Sequence, residues 1–195
     1  MHLPFPLVLG SSSPFRKELL SRLQIPFEAC SPNIDESALA GESPKQLVER
    51  LSISKAAEIA KSFPAHLIIG SDQVAVNEGK ILGKPGTFEG AVEQLSAASG
   101  KKVQFYTGLT LLNSVRGVQH SEVVPFAVHF RDLSEERIER YLHAEEPYNC
   151  AGSFKSEGLG ITLFERLEGE DPSALMGLPL IRLVRMLEQE GAQFP

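Results

Sequence analysis

The chain has 195 residues, 42% of them hydrophobic, enough for a substantial core in one domain or one domain of two lobes, and against disorder as its organising state. Its formal net charge of −6 sets it against non-specific association with nucleic acid or anionic lipid, since both depend on basic surface. Two cysteines, Cys30 and Cys150, are too few for a disulfide framework and lack the clustered spacing of a zinc site.

The opening residues through Gly10 carry neither the basic start nor the long apolar run of a secretion signal, and no later segment is apolar enough to span a bilayer. A soluble, cytoplasmic protein with no nucleic-acid or membrane partner is expected. Leu7-Val8-Leu9 reads as a short strand, and the turn from Gly10 to Ser13 feeds Pro14, which suits the first turn of a helix. Ser13 is the predicted N-cap of a helix over Phe15–Leu23, whose free N–H groups would welcome an anion beside Ser11 and Ser13. A strand near Phe27–Cys30 gives way to an acidic loop with Asp35 and Glu36, and Ser43-Pro44 opens a long helix from Lys45 to Ser62. His66–Gly70 is a buried strand delivering Ser71, Asp72 and Gln73, with Val74–Val76 as its continuation. The Asn77–Lys80 turn returns through Ile81-Leu82 to Gly83-Lys84-Pro85, a hairpin expected to bring Lys84 beside the Asp72 strand. A helix over Thr87–Ala98, strands at Val103–Asn113 and Val118–Phe130, and a helix from Ser134 to Ala144 follow. Ala151–Ser156 and Ile161–Leu167 are predicted as strands around the Glu157–Gly160 loop, and Leu178–Glu190 as the last helix.

Early alternation of strands and helices, followed by an antiparallel section, predicts an α/β fold: a mixed twisted sheet with surrounding helices, two lobes and a central cleft. Residues 1–195 are read as a single domain, since no repeat, low-complexity tract or linker divides them.

Four segments collect the groups that handling a nucleoside triphosphate requires: Ser11–Arg16, Gly70–Gln73, Gly83–Pro85 and Ser153–Gly158. With no basic arm in the chain, a phosphate site has to be assembled by folding from Arg16, Lys55, Lys84 and Lys155. Asp72, just past a buried strand, can ligate a metal or take a proton from water, although a lone Asp there more often caps a turn. Glu36 would be a second oxygen donor for Mg2+ or Mn2+. Lys55 taken alone reads as solvent-facing, and Lys155 as a strand residue alternating with a core-facing Phe154. Phe15 and Glu157 have ordinary readings as a core aromatic and a loop carboxylate, and Gln73 as a partner for a backbone group. The five histidines do not cluster, and no Gly-x-x-x-x-Gly-Lys-Ser/Thr loop is present, which disfavours a phosphate-loop kinase or GTPase.

In their order, Ser11-Ser12-Ser13-Pro14-Phe15-Arg16-Lys17, Asp35-Glu36-Ser37, Gly70-Ser71-Asp72, Gly83-Lys84-Pro85 and Ala151-Gly152-Ser153-Phe154-Lys155 make the chain resemble the Maf family of nucleoside triphosphate pyrophosphatases. The resemblance runs from Leu7 to the final helix. It implies an ITPase-like fold with an interlobe cleft, a homodimer as an assembly the family often adopts, and hydrolysis of a nucleoside triphosphate to monophosphate and pyrophosphate with a divalent cation. It places the catalytic carboxylate on Asp72. One branch, acting on dTTP and UTP, has Arg, Thr and Gln where this chain has Phe15, Gln73 and Glu157; this set is instead similar to the branch acting on 7-methyl-GTP, a house-cleaning activity, a member of which has Trp in place of Phe15. N7-methylation makes guanine cationic, so Phe15 would add cation–π attraction to stacking. Glu157 would accept paired hydrogen bonds from the guanine N1–H and N2–H2 edge, with Gln73 adding a directional contact. Other specificity on the same fold, or a nucleotide-binding regulator of division without turnover, are the competing readings.

Overall fold

The computed structural model describes residues 2–195. In chain order it contains β1 (Leu7–Gly10), α1 (Pro14–Ser21), β2 (Glu28–Cys30), α2 (Pro44–Ala60), β3 (Leu67–Asn77), β4 (Lys80–Leu82), α3 (Phe88–Ala98), β5 (Lys102–Asn113), β6 (Val118–Phe130), α4 (Glu135–Glu145), β7 (Phe164–Glu168) and α5 (Leu180–Gln189), with 3₁₀ turns at Leu159–Leu163 and Pro172–Met176. The strands make one seven-stranded sheet in the order β2-β1-β3-β5-β6-β7, with β4 beside β3. β1 runs parallel to β2 and β3, while β3/β4 and β6/β7 are antiparallel, so the sheet is mixed as expected. Among the described residues no helix is long and apolar enough to cross a membrane. The chain divides into two compact units.

The first unit comprises the chain through Gln73, Thr107–Val124 and Asp171–Pro195. Along β1, Leu7 and Leu9 pack with Leu19 and Leu20 of α1 and with Leu183 and Leu187 of α5, whereas Val8 packs with Ala56 and Ile59 of α2. That is strand alternation with helices covering both faces, which is why the sequence there is apolar without interruption. Truncating one of these leucines to Ala would cost about 2–5 kcal/mol. Two glycines let α2 lie close to the sheet. A Cβ on Gly70 would collide with the Ser52 carbonyl, and one on Gly108 with the Val48 carbonyl. The helix starts follow local chemistry: Ser13 Oγ accepts the Arg16 N–H ahead of Pro14, and Ser43 and Gln46 cap each other reciprocally ahead of Pro44.

The second unit comprises Val74–Tyr106 and Pro125–Glu170. Its β3–β4 hairpin turns through Glu78 and Gly79 at φ 49° and 81°, the paired positive angles of a type I′ turn. Phe154 lies edge-on to Phe105, Phe130 and Phe164 at centroid distances of 5.5, 5.6 and 4.9 Å, a geometry that aromatic quadrupoles favour. The strand expected at Ala151–Ser156 does not form. Gly152 and Ser153 adopt φ of 78° and 64°, successive left-handed residues that a strand ladder does not accommodate, and buried Ser153 instead donates its hydroxyl to Gln94 Oε1 of α3 at 2.7 Å. The strand expected from Ile161 begins only at Phe164, because a 3₁₀ turn occupies Leu159–Leu163.

Candidate active site

Asp72 lies on the part of β3 that belongs to the first unit, and strand alternation sends its neighbours the other way. Ser71 Oγ donates to the Gly177 carbonyl at 2.9 Å, and Gln73 Nε2 donates to the Ala174 carbonyl at 2.6 Å and to Thr107 Oγ1 at 2.9 Å. Asp72, between them, meets α2: Lys55 Nζ is 2.7 Å from Asp72 Oδ1 and 3.0 Å from Glu36 Oε1. Lys55 and Asp72 are only 5% and 8% exposed, while the Glu36 side chain is 55% exposed. Lys55 is therefore not solvent-facing as its helix position alone suggests. The close approach of α2 over Gly70 and Gly108 delivers its ammonium to the middle of β3, so Asp72 lies within the strand rather than just past it.

The electrostatics follow from this burial. Desolvation pushes the Asp72 carboxyl above its ordinary 3.8; Lys55 and then Arg16 oppose the rise, and Glu36 adds to it. Burial likewise lowers the Arg16 guanidinium from its ordinary value, against the pull of Asp72 and Glu36. Arg16 Nε donates to the Gly177 carbonyl at 2.8 Å, and its Nη1 lies 3.4 Å from Ser11 Oγ, which also accepts the Ser13 N–H at 3.1 Å. Ser11, Ser13 and Arg16 thus form one hydrogen-bonded group, Lys55, Asp72 and Glu36 a second held by ion pairs, and the charge of Arg16 acts on both carboxylates. Phe15 sits half-buried in the first turn of α1.

The remaining predicted residues lie in the second unit. Lys84 and Glu157 are exposed, and Lys155 is half-buried in an irregular loop rather than in a strand. Lys155 Nζ is 3.0 Å from the Glu145 carbonyl and 3.2 Å from Glu145 Oε1. The charges of Glu157, Lys155, Glu145 and Lys84 all bear on Cys150, whose thiol is pushed up chiefly by burial and is therefore a poor nucleophile.

Three features carry no sequence expectation. The Ala174–Gly177 turn offers carbonyls to Arg16, Ser71, Gln73 and Thr107. Buried Asp171 fixes it, Oδ1 accepting from Ser173 Oγ at 2.7 Å and Oδ2 from the N–H groups of Ile181 and Arg182 at 2.8 and 3.2 Å. The Asp171-Pro172-Ser173 run is a turn signal that marks the place. Arg50 clamps the acidic loop, bonding Glu42 at 2.6 and 2.8 Å and the Ser37 carbonyl at 3.0 Å.

Among the described residues no three His, Cys, Asp or Glu side chains form a metal cluster. Asp72 and Glu36 nevertheless converge on one ammonium, and paired carboxylate oxygens suit a hard divalent ion whose other ligands come from water or phosphate.

A sequence model described as Maf-like protein matches residues 6–190. The chain belongs to the Maf-like family. Among its relatives, a Pseudomonas aeruginosa protein named 7-methyl-GTP pyrophosphatase is 61% identical over 97% of this chain and 98% of its own. A Colwellia psychrerythraea protein of the same name is 58% identical over 95% of this chain and 92% of its own. Among solved structures, the Staphylococcus aureus Ham1 protein is similar at 13% identity and a TM-score of 0.46, over 65% of this Maf-like chain and 72% of the other.

Proposed function

We propose that this Maf-like protein hydrolyses 7-methyl-GTP to 7-methyl-GMP and pyrophosphate, with Asp72 as general base. The observation that carries the reading is the buried Asp72 carboxylate, paired with Lys55 and under the charge of Arg16, in a chain whose near-full-length relatives bear the name of that reaction. Asp72 would take a proton from the water attacking the α-phosphorus, and its raised pKa makes it a better base than an ordinary Asp. The bond from that phosphorus to the bridging oxygen breaks, and pyrophosphate leaves with the electron pair. Arg16 and Lys55 would neutralise charge building on phosphate oxygens, with Ser11 and Ser13 lining the amino end of α1. Lys84 and Lys155 are assigned to the phosphates as well. Glu36 and Asp72 would hold Mg2+ or Mn2+, which when bound withdraws charge from the phosphates.

For the base, Phe15 supplies an aromatic face and Glu157 an anionic pair of acceptors. The amide nitrogen of Gln73 is committed to Thr107 and Ala174, so the atom Gln73 would present is its acceptor Oε1. The reading carries with it a cytoplasmic location and a homodimer. A nucleotide sensor without turnover has no use for a buried carboxylate paired with a lysine. Pyrophosphate release should be measured across canonical and modified nucleoside triphosphates with Mg2+ and with Mn2+. The highest kcat/KM is expected for 7-methyl-GTP. Release from none of them overturns the enzymatic reading, and faster turnover of UTP or dTTP overturns the substrate.

A further inference from the structure

Tyr141 and Glu145 are one turn apart on α4, and together they hold the segment that carries Lys155 and Glu157. Tyr141 Oη accepts the Lys155 N–H at 3.1 Å, and Glu145 Oε2 accepts the Leu159 N–H at 2.6 Å. Lys155 Nζ donates to the Glu145 carbonyl at 3.0 Å and lies 3.2 Å from Glu145 Oε1. The loop also folds back on itself, since the Gly158 and Gly160 N–H groups both donate to the Lys155 carbonyl. Space requires glycine at Gly160, where the obstacle is backbone, and at Gly158 a side chain would have to displace the Glu145 carboxylate. A Cβ on Gly158 would lie 2.6 Å from Glu145 Oε2, and one on Gly160 would collide with the Lys155 carbonyl.

We propose that Glu145, assisted by Tyr141, is a positioning residue for base selection: it anchors both ends of the Lys155–Leu159 loop to α4 and so fixes where Glu157 presents its carboxylate. This rests on the reading of Glu157 as the acceptor for the guanine edge. Glu157 is itself exposed, with Ser156 Oγ as its neighbour at 3.2 Å, so its own contacts do little to hold it in place. A short loop anchored at its first and last residues loses most of its conformational freedom before ligand arrives, and selectivity gains from that pre-organisation. The same contacts give Lys155 a second office. One ammonium hydrogen goes to the Glu145 carbonyl and Oε1 lies within ion-pair range, which leaves donor capacity for a phosphate oxygen. Removing the Glu145 side chain therefore frees the Leu159 end of the loop and takes the carboxylate from beside the lysine, whose bond to the backbone carbonyl remains.

The test compares wild type with Glu145→Ala, Glu145→Gln and Tyr141→Phe, using kcat/KM for 7-methyl-GTP and for UTP together with amide hydrogen exchange at Leu159. In Glu145→Ala the ratio of 7-methyl-GTP to UTP should fall by about tenfold, and the Leu159 amide should exchange faster. Glu145→Gln keeps an acceptor for that amide and should recover part of the ratio. Tyr141→Phe should move the ratio in the same direction by less. A merely structural residue would lower both activities and the Tm alike, leaving the ratio where it was, and that result overturns the proposal. If wild type releases no pyrophosphate from 7-methyl-GTP, the fault lies with the functional reading. The anchoring is then judged by Leu159 exchange alone: acceleration in Glu145→Ala supports it, and an unchanged rate refutes it.

Discussion

Lys55 holds its ammonium 2.7 Å from Asp72 Oδ1, although the two residues come from different elements and both are almost wholly buried. Desolvation drives the Asp72 carboxyl upward, and Lys55 is the strongest influence holding it back. Replacing Lys55 with Met leaves the desolvation less opposed, so Asp72 should ionise at higher pH. The acid limb of kcat/KM against pH should move upward in Lys55→Met, alongside weaker triphosphate binding. An acid limb that stays in place would remove Asp72 from the role of base.

Asp72→Asn keeps the shape of the side chain and removes its basicity, so turnover should drop by at least about a hundredfold with folding intact. The stability consequence has a definite sign. Because the folded-state pKa lies above the unfolded value, the fold binds this proton more tightly; that contribution is full below the unfolded pKa and is lost as pH rises through the folded one. The Tm of Asp72→Asn relative to wild type should therefore rise as the pH is raised from the ordinary carboxylate range through the elevated folded-state pKa. Near-normal turnover, or a relative Tm that falls across that range, contradicts the assignment.

Glu42 behaves in the opposite sense. Its hydrogen bonds from Arg50 foremost, and from the Leu39 N–H, hold the carboxyl at about 2 instead of its ordinary 4.5. This stabilisation is present above the unfolded pKa and is lost as pH falls toward the folded one. Thermal scans of wild type from neutral to acid pH should show a steeper fall in Tm than those of Glu42→Gln. Parallel curves would mean that the Arg50 clamp contributes nothing to acid stability.

Gly70→Ala should destabilise by about 1–3 kcal/mol, the usual cost of forcing extra volume into a packed interior. It should also cut turnover, because the backbone it pushes against, at Ser52 and Ala56, flanks Lys55. Chemical denaturation and pyrophosphate release on the same preparation check both effects. Gly83→Ala, where an added Cβ meets nothing within 4 Å, is the stability control. Equal stability of the two variants would show that α2 tolerates displacement from the strand.

Glu157→Gln should impair 7-methyl-GTP hydrolysis far more than UTP hydrolysis, since an amide offers one acceptor and no charge to a cationic base with paired donors. Phe15→Ala should act in the same direction at a cost of about 1–3 kcal/mol, and Phe15→Trp should hold or improve activity on the methylated substrate. The quantity to follow is the ratio of kcat/KM for the two nucleotides. If it does not change in any of these variants, base selection lies elsewhere.

Local signals make much of this fold legible from sequence. Ser13-Pro14 and Ser43-Pro44 mark helix starts where α1 and α2 begin, and the unbroken run Leu67–Gly70 marks a strand covered on both faces. The burial of Lys55 is not legible in α2 itself, because its cause is two glycines on other elements, Gly70 and Gly108. Ala151–Ser156 misleads for a related reason. Phe154 and Lys155 alternate as in a strand, but Ser153 takes a left-handed conformation with its hydroxyl bonded to Gln94, far away in sequence. Nothing in the sequence singles out Glu145, at the end of a helix, or Asp171, in a loop, and their work becomes visible only in the backbone N–H groups from which they accept.

The Asp171–Gly177 turn also sets an order on assembly during synthesis. Its carbonyls hold Arg16 and Ser71, and the helix behind it supplies Leu183 and Leu187 to the core around Leu7 and Leu9. A nascent chain that has emerged only as far as Glu170 has made Asp72, Lys55 and Arg16 but lacks the piece that seats the arginine. Those early leucines then have α1 but lack the cover of α5, and incompletely covered apolar surface of this kind favours aggregation. The first unit closes only after translation has passed through the second.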